Sequence, residues 1–179
     1  MAESKKKSFA TIWLDGCSGC HMSFLDIDEY IEELGQHIDL VYSPLVDNKI
    51  FPEHVDIVLV EGAVGNAEDE SKIRKVRAHT GYLISLGDCA VIGNVPTMRN
   101  PFPIDEVTRR AYIENATANQ QVPVEVIPPL LPKVRPVHQV VPVDLFVPGC
   151  PPPAATIKHV LSELIAGRQP DLERIHRFG

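Results

Sequence analysis

Short apolar runs recur along the chain at regular intervals. Five of them are rich in branched and aromatic residues, and they predict strands at residues 9–14, 39–42, 55–60, 82–86 and 143–147. The run at 55–60 is almost entirely apolar, which is typical of a strand covered on both faces of a parallel sheet.

Amphipathic stretches separate these strands and predict helices. Phe24, Ile27 and Leu34 recur at helical spacing, so we expect a helix over residues 21–34 that ends at Gly35. Asn66 predicts the start of a second helix reaching residue 79, and Asp105 the cap of a third, over residues 105–117. A last helix is expected to open at prolines 151–153 and to close at Gly167.

Strands that alternate with helices predict an α/β fold, a flavodoxin-like parallel sheet with helices on both faces. We expect residues 1–8 to form a flexible N-terminal tail and residues 9–179 to form a single domain. Half of the 16 prolines fall between Pro101 and Pro142. The Pro-rich insertion, residues 93–142, is interpreted as a partner-docking surface, with a flexible surface loop as the alternative.

The charge and the terminal pattern exclude some classes of function. A formal net charge of −7 gives no reason to expect a nucleic-acid partner. The polar segment 1–10 has no apolar stretch of the kind found in secretory signals, and no apolar run is long enough to span a membrane. A cytoplasmic location is therefore expected, where cysteines are more often catalytic or metal-bound than disulfide-paired.

All four cysteines follow predicted strands. Cys17 and Cys20 follow the first strand, Cys89 the fourth and Cys150 the last. Because the loops after the carboxyl ends of parallel strands gather at one edge of the sheet, we expect the four thiols to converge there. The cluster-binding loops are thus predicted at the C-terminal edge of the strands.

Three interpretations of the four thiols compete. Buried free cysteines would not explain why each lies in a Gly-containing loop. A structural zinc ion would accept four thiolates, but such sites more often use two close pairs. One 4Fe–4S cluster can be bound by a Cys-x-x-Cys pair together with two cysteines that are distant in sequence. Cys150 is also followed by proline, as are many cluster ligands. FMN at the same edge is supported on fold grounds alone.

Four segments carry a resemblance to the small subunits of NiFe hydrogenases: residues 13–20 (WLDGCSGC), 60–64 (VEGAV), 86–90 (LGDCA) and 147–152 (VPGCPP). Their order and spacing match over about residues 9–166. With the segment 93–100 (GNVPTMRN), the chain most resembles the cytoplasmic NAD-reducing (bidirectional, HoxY-type) hydrogenase small subunits.

The resemblance implies an electron-transfer subunit. Cys17, Cys20, Cys89 and Cys150 would hold the proximal 4Fe–4S cluster beside the NiFe centre of a partner large subunit. Electrons would pass on to a diaphorase module that carries FMN and further Fe–S clusters and reduces NAD⁺. No acid, base or nucleophile for H₂ cleavage would then be needed in this chain.

The cluster subunit of respiratory complex I is similar, and a quinone-linked function remains open. That relative has adjacent cysteines where this chain has Cys17-Ser18-Gly19-Cys20.

Of the neighbouring polar residues, Glu61 is expected to relay protons or to lie next to the cluster, or else to accept local backbone N–H groups. Asp15 and Asp88 are expected to cap loops. His21 is expected to pack at a helix start or to touch a partner.

Overall fold

The computed structural model describes residues 6–172, and its centre is a five-stranded sheet. The strands within this range are β1 (Lys7–Trp13), β2 (Ile38–Tyr42), β3 (Val55–Glu61), β4 (Val64–Asn66), β5 (Thr80–Leu86), β6 (Leu130–Arg135) and β7 (Leu145–Val147). The central sheet has the order β2–β1–β3–β5–β7, and every neighbouring pair in it is parallel. This is the flavodoxin-like strand order, so the predicted fold class is confirmed.

Helices cover both faces of the sheet. They are α1 (Gly19–Leu25), α2 (Tyr30–His37), α3 (Ala67–Ala78), α4 (Asp88–Ile92), α5 (Ile104–Arg109) and α6 (Ala154–Ile165). One face packs Phe9, Leu59 and Ile84 against apolar residues of α1, α2 and α6. The other packs Val58 and Val60 against residues of α3 and α4. Successive strand residues point to opposite faces, so two buried faces explain the continuous apolar runs.

The first predicted helix is in fact two helices. Residues 21–34 do not form one continuous element, because α1 ends at Leu25 and α2 begins at Tyr30. Between them Asp28 has a left-handed backbone (φ 53°), a conformation that aspartate tolerates but a helix does not. Gly35 does not stop the helix either: α2 runs to His37 and passes directly into β2.

Two other helices lie where they were predicted. The side chain of Asn66 accepts a hydrogen bond from the Asp69 N–H and so caps α3, as expected. Helix α6 starts after Pro153 and ends two residues before Gly167. Its buried residues Ile157, Val160 and Leu161 were predicted from their spacing.

The Pro-rich insertion is more ordered than its composition suggests. Its helix α5 begins at Ile104 with Pro103 as the N-cap, not with Asp105, and continues as a π-helical turn, Arg110–Glu114. Short 3₁₀ turns lie at Val95–Arg99 and Val137–Gln139. The sequence did not predict β6, which pairs antiparallel with β4, because prolines are uncommon inside strands except at edges.

The predicted tail overlaps the first strand, since Lys7 and Ser8 belong to β1. Residues 1–5, and the C-terminal residues 173–179, lie outside the described range. The division into a tail and one domain of residues 9–179 stays a prediction. Within residues 6–172, no helix is both long and apolar enough to cross a bilayer.

Candidate metal centre

The four cysteines meet at the carboxyl edge of the sheet. Cys17 follows β1, Cys20 lies in the first turn of α1, Cys89 in the first turn of α4, and Cys150 between β7 and α6. All four line one pocket of about 80 Å³, together with Glu61. The structure therefore brings together every residue that was predicted for the site.

Two glycines make room for this arrangement. Gly87 has φ 82°, and a Cβ there would collide with the sulfur of Cys20. Gly149 has φ 135°, and its Cβ would stand 2.6 Å from the Cα of Pro152. Because L side chains rarely adopt these backbone angles, only glycine lets the loops after β5 and β7 close around the thiols.

The two aspartates predicted to cap loops both make contacts at this edge of the sheet, Asp88 through its side chain and backbone and Asp15 through its backbone. The Asp88 carboxylate accepts a hydrogen bond from the Gly149 N–H at 2.7 Å, and the Asp88 N–H donates to the Gly149 carbonyl at 2.9 Å. The backbone of Asp15 exchanges two hydrogen bonds with Ala63, at 3.0 and 2.7 Å. Burial raises the pKa of the Asp15 carboxyl, while the charge of Arg99 lowers it. These contacts tie together loops that are far apart in sequence.

Glu61 is held by a buried histidine. Its carboxylate is 2% exposed and accepts the backbone N–H of His21 at 2.6 Å. The same oxygen lies 2.7 Å from Nδ1 of the His21 ring, and a carboxylate partner makes that nitrogen the donor. Glu61 thus accepts a backbone N–H and also lines the thiol pocket, while its place in a proton relay or next to a cluster stays a prediction.

The hydrogen-bonded chain continues into the sheet. Nε2 of His21 lies 2.9 Å from the Thr11 hydroxyl, which is 2.8 Å from the Ser43 hydroxyl. All of these side chains are buried. The role of His21 was not foreseen, since packing or a partner contact was expected. The available signal was Thr11, a polar residue inside an otherwise apolar buried strand.

Burial and negative charge disfavour free thiolates here. The pKa of Cys20 is raised well above its ordinary value by burial, and further by Glu61 and the other three cysteines. The pKa of Cys89 is raised by burial and by Cys150 and Cys17, although a backbone N–H from Val95 lowers it. Iron ions would supply the positive charge that four neighbouring thiolates need, so the donor set fits a metal cluster.

The arrangement differs from that of a single-ion site. Within residues 6–172, no three His, Cys, Asp or Glu side chains are grouped closely enough to hold one metal ion. A 4Fe–4S cluster makes a different demand, because each of its four cysteines binds a separate iron. Four thiols around one small pocket meet that demand in number and kind.

The fold and the pocket define the class: an α/β protein with a thiol-lined site at the carboxyl edge of its sheet. Residues 17–164 match the family described as the NADH ubiquinone oxidoreductase 20 kDa subunit. The chain belongs to this family. The matched region contains all four cysteines.

Hydrogenase subunits are among the similar proteins. The NAD-reducing hydrogenase HoxS subunit delta of Cupriavidus necator is 42% identical over 179 residues, covering 97% of this chain and 86% of that protein. One subunit of the F420-non-reducing hydrogenase vhu of Methanocaldococcus jannaschii is 37% identical and covers 90% of this chain, which spans 57% of that relative. A chain of an NAD⁺-reducing NiFe hydrogenase in the H₂-reduced state superposes with a TM-score of 0.92 at 36% identity, covering 98% of this chain and 100% of that one. The resemblance inferred from the motifs is confirmed.

Proposed function

We propose that this chain is the electron-transfer small subunit of an NAD-reducing NiFe hydrogenase. It holds one 4Fe–4S cluster through Cys17, Cys20, Cys89 and Cys150. The observation that carries the proposal is the convergence of all four thiols on one pocket, in a chain similar to hydrogenase subunits. When bound, such a cluster supplies one-electron transfer.

The chain's own residues hold and shield the site. The four sulfurs are the anchors, and the Asp88–Gly149 contacts keep the loops of Cys89 and Cys150 together. Glu61, fixed by His21, places a buried negative charge at the pocket. Negative charge beside a cluster favours its oxidised form, so Glu61 lowers the reduction potential. In this proposal the chain contributes no group to the cleavage of H₂.

The partners of the proposed complex are a NiFe large subunit and a diaphorase module with FMN and further Fe–S clusters. Large apolar side chains are exposed close in sequence to the ligand cysteines: Met22 after Cys20, and Ile92 and Val95 after Cys89. Exposed apolar side chains next to a redox site are typical of a protein interface. We expect the large subunit to cover them. A cytoplasmic location is part of the same proposal.

The Pro-rich insertion is proposed as a second docking region. It contains two open grooves of about 450 and 440 Å³, both lined in part by α5 and the π-helical turn that follows it. Phe102 and Tyr112 are exposed there. Open apolar grooves of this size can receive side chains of a partner subunit, whereas the thiol pocket is too small to do so.

A quinone-linked function is the second candidate, because the matching family is described by a subunit of NADH ubiquinone oxidoreductase. The two candidates differ in nickel. We would purify the tagged chain anaerobically from its native host and measure iron and nickel in the complex that copurifies. Nickel together with iron supports the hydrogenase, whereas iron without nickel supports the quinone-linked complex.

The ligand assignment has its own test in the full chain reconstituted with iron and sulfide. Cys89→Ser is expected to lose the four-iron content and the brown absorbance of the wild type. Met22→Ser is the control, because it also removes a sulfur, two residues after the proposed ligand Cys20, but from an exposed side chain that is not itself a proposed ligand. Wild-type iron and sulfide in Cys89→Ser would contradict the assignment.

A further inference from the structure

One side chain outside the cysteine set reaches a proposed ligand sulfur. The side-chain amide of Asn94 donates a hydrogen bond from Nδ2 to the Sγ of Cys150, at 3.3 Å. The next residue, Val95, donates its backbone N–H to Cys89. A single short loop after α4 therefore directs two N–H donors at two of the four thiols.

The loop holds Asn94 in a fixed position. Asn94 has a positive φ of 32°, which is uncommon for a residue with a side chain. Its carbonyl accepts hydrogen bonds from the Thr97 backbone N–H at 3.1 Å and from the Thr97 hydroxyl at 2.7 Å. These hydrogen bonds fix the backbone of Asn94, and the bond from its side-chain amide to the Cys150 sulfur is the contact that orients the side chain.

This anchoring extends to the two-stranded sheet of β4 and β6. Arg99, at the end of the 3₁₀ turn that follows, donates to the carbonyls of Leu131 and Gly65, at 3.0 and 2.8 Å. Asn100 bonds both the N–H and the carbonyl of Val134. The position of the Asn94 amide is therefore supported by β4 and β6.

We propose that Asn94 is a positioning residue that raises the reduction potential of the cluster by hydrogen-bonding the Cys150 sulfur. Reduction adds negative charge that spreads onto the ligand sulfurs, so an N–H donor stabilises the reduced form more than the oxidised form. The effect opposes that of Glu61, which lies on the buried side of the pocket. The inference rests on the proposed function, since it requires Cys150 to be a cluster ligand.

The test is a redox titration of the full chain reconstituted anaerobically with iron and sulfide, followed by electron paramagnetic resonance of the reduced cluster. Asn94→Gly removes the amide and suits the backbone angle. Asn94→Asp keeps the shape but replaces a donor with a negatively charged acceptor. Asn119→Gly and Asn119→Asp are matched controls, because Asn119 is exposed and also has a positive φ, of 50°.

At the midpoint potential of the wild type, Asn94→Gly is expected to lower the ratio of reduced to oxidised cluster about tenfold. For one electron this corresponds to a midpoint potential about 59 mV lower. Asn94→Asp should lower the potential further, and both Asn119 variants should match the wild type. If Asn94→Gly does not load its cluster, Asn94→Ala, which also lacks a side-chain donor, takes its place in the comparison.

Two failures are distinguishable. Loaded Asn94 variants with the wild-type potential would overturn the role of Asn94 and leave the ligand assignment standing. A wild-type chain that takes up no four-iron cluster would instead overturn the proposed function, and the inference would fall with it.

Discussion

The two sides of the thiol pocket are built differently. On the inner side Cys20 is partly buried, and Glu61 and His21 behind it are 2% and 6% exposed. On the outer side Cys17 and Cys150 are exposed, and Cys150 is contacted by Asn94. The inner side belongs to the protein core, whereas the outer side is formed by loops that a partner can reach.

The difference indicates a division of roles within one site. Buried polar groups tolerate little change, because a lost partner leaves a desolvated group unsatisfied. Exposed groups tolerate change, since water replaces lost contacts. We therefore expect changes on the inner side to act mainly on cluster assembly, and changes on the outer side to act mainly on the reduction potential, to which the Glu61 charge contributes from the inner side. The following predictions challenge that division, in order of decreasing effect.

The largest contrast is expected between two ligand substitutions. Cys20→Ser should abolish the cluster, because a serine hydroxyl is a much poorer iron ligand than a thiolate and water has little access to this partly buried position. Cys150→Ser should retain a measurable share of the iron, because solvent reaches the exposed position. Iron and sulfide content with visible absorbance of the reconstituted chains provides the measurement. Equal losses in the two variants would remove the distinction between the sides.

The second contrast compares two histidine–carboxylate pairs. His21→Ala deprives a buried carboxylate of a donor and should lower the free energy of unfolding by about 3 kcal/mol. His54→Ala removes an exposed partner of Asp56, at 3.3 Å, and should change it by less than about 1 kcal/mol. Urea unfolding followed by circular dichroism measures both. Similar midpoints for the two variants would show that the His21–Glu61 contact is not stabilising.

The third prediction concerns thiol reactivity in the iron-free chain. A raised pKa means less thiolate at any given pH, so iodoacetamide should modify exposed Cys17 and Cys150 first and Cys20 last. For Cys20 the rate should still rise about tenfold per pH unit above pH 9, the ordinary thiol value, because its own pKa lies higher. Mass spectrometry of peptides gives the rates. A Cys20 rate that levels off near pH 9 would contradict the raised pKa.

The smallest effect is expected at Asp88. Asp88→Asn keeps an oxygen for the Gly149 N–H but removes a negative charge from the rim, so the reduction potential should rise slightly. The shift should be opposite in sign to that of the Asn94 variants and smaller. Asp105→Asn, an exposed change of the same type on α5, is the control for the redox titration. A lower potential in Asp88→Asn would mean that the loop contact outweighs the charge.

Local patterns were sufficient to predict the sheet. The apolar runs at residues 55–60 and 82–86 were expected to pair as parallel strands because a helix lies between them, and in the structure they are β3 and β5. The meeting of Cys17 with Cys150 was predictable for the same reason, because strand order alone brings their loops to one edge.

Contacts that depend on exact loop geometry were not predictable. The separation of α1 from α2 depends on a single left-handed residue, Asp28. The pairing of β4 with β6 joins segments about 65 residues apart, with many prolines in the sequence between them. His21 meets Glu61 only because α1 begins at Gly19, which turns the ring inward. Asn94 reaches Cys150 through a backbone angle that no periodicity reveals.

The contacts between Asp88 and Gly149 also bear on the order of events during synthesis. They join the loop after β5 to the loop after β7, the last strand and an edge of the sheet. A nascent chain leaves the ribosome from its N-terminus, so three cysteines emerge long before the fourth. The binding site is complete only once the chain has been translated past Cys150, and we expect delivery of iron and sulfide to be a late step.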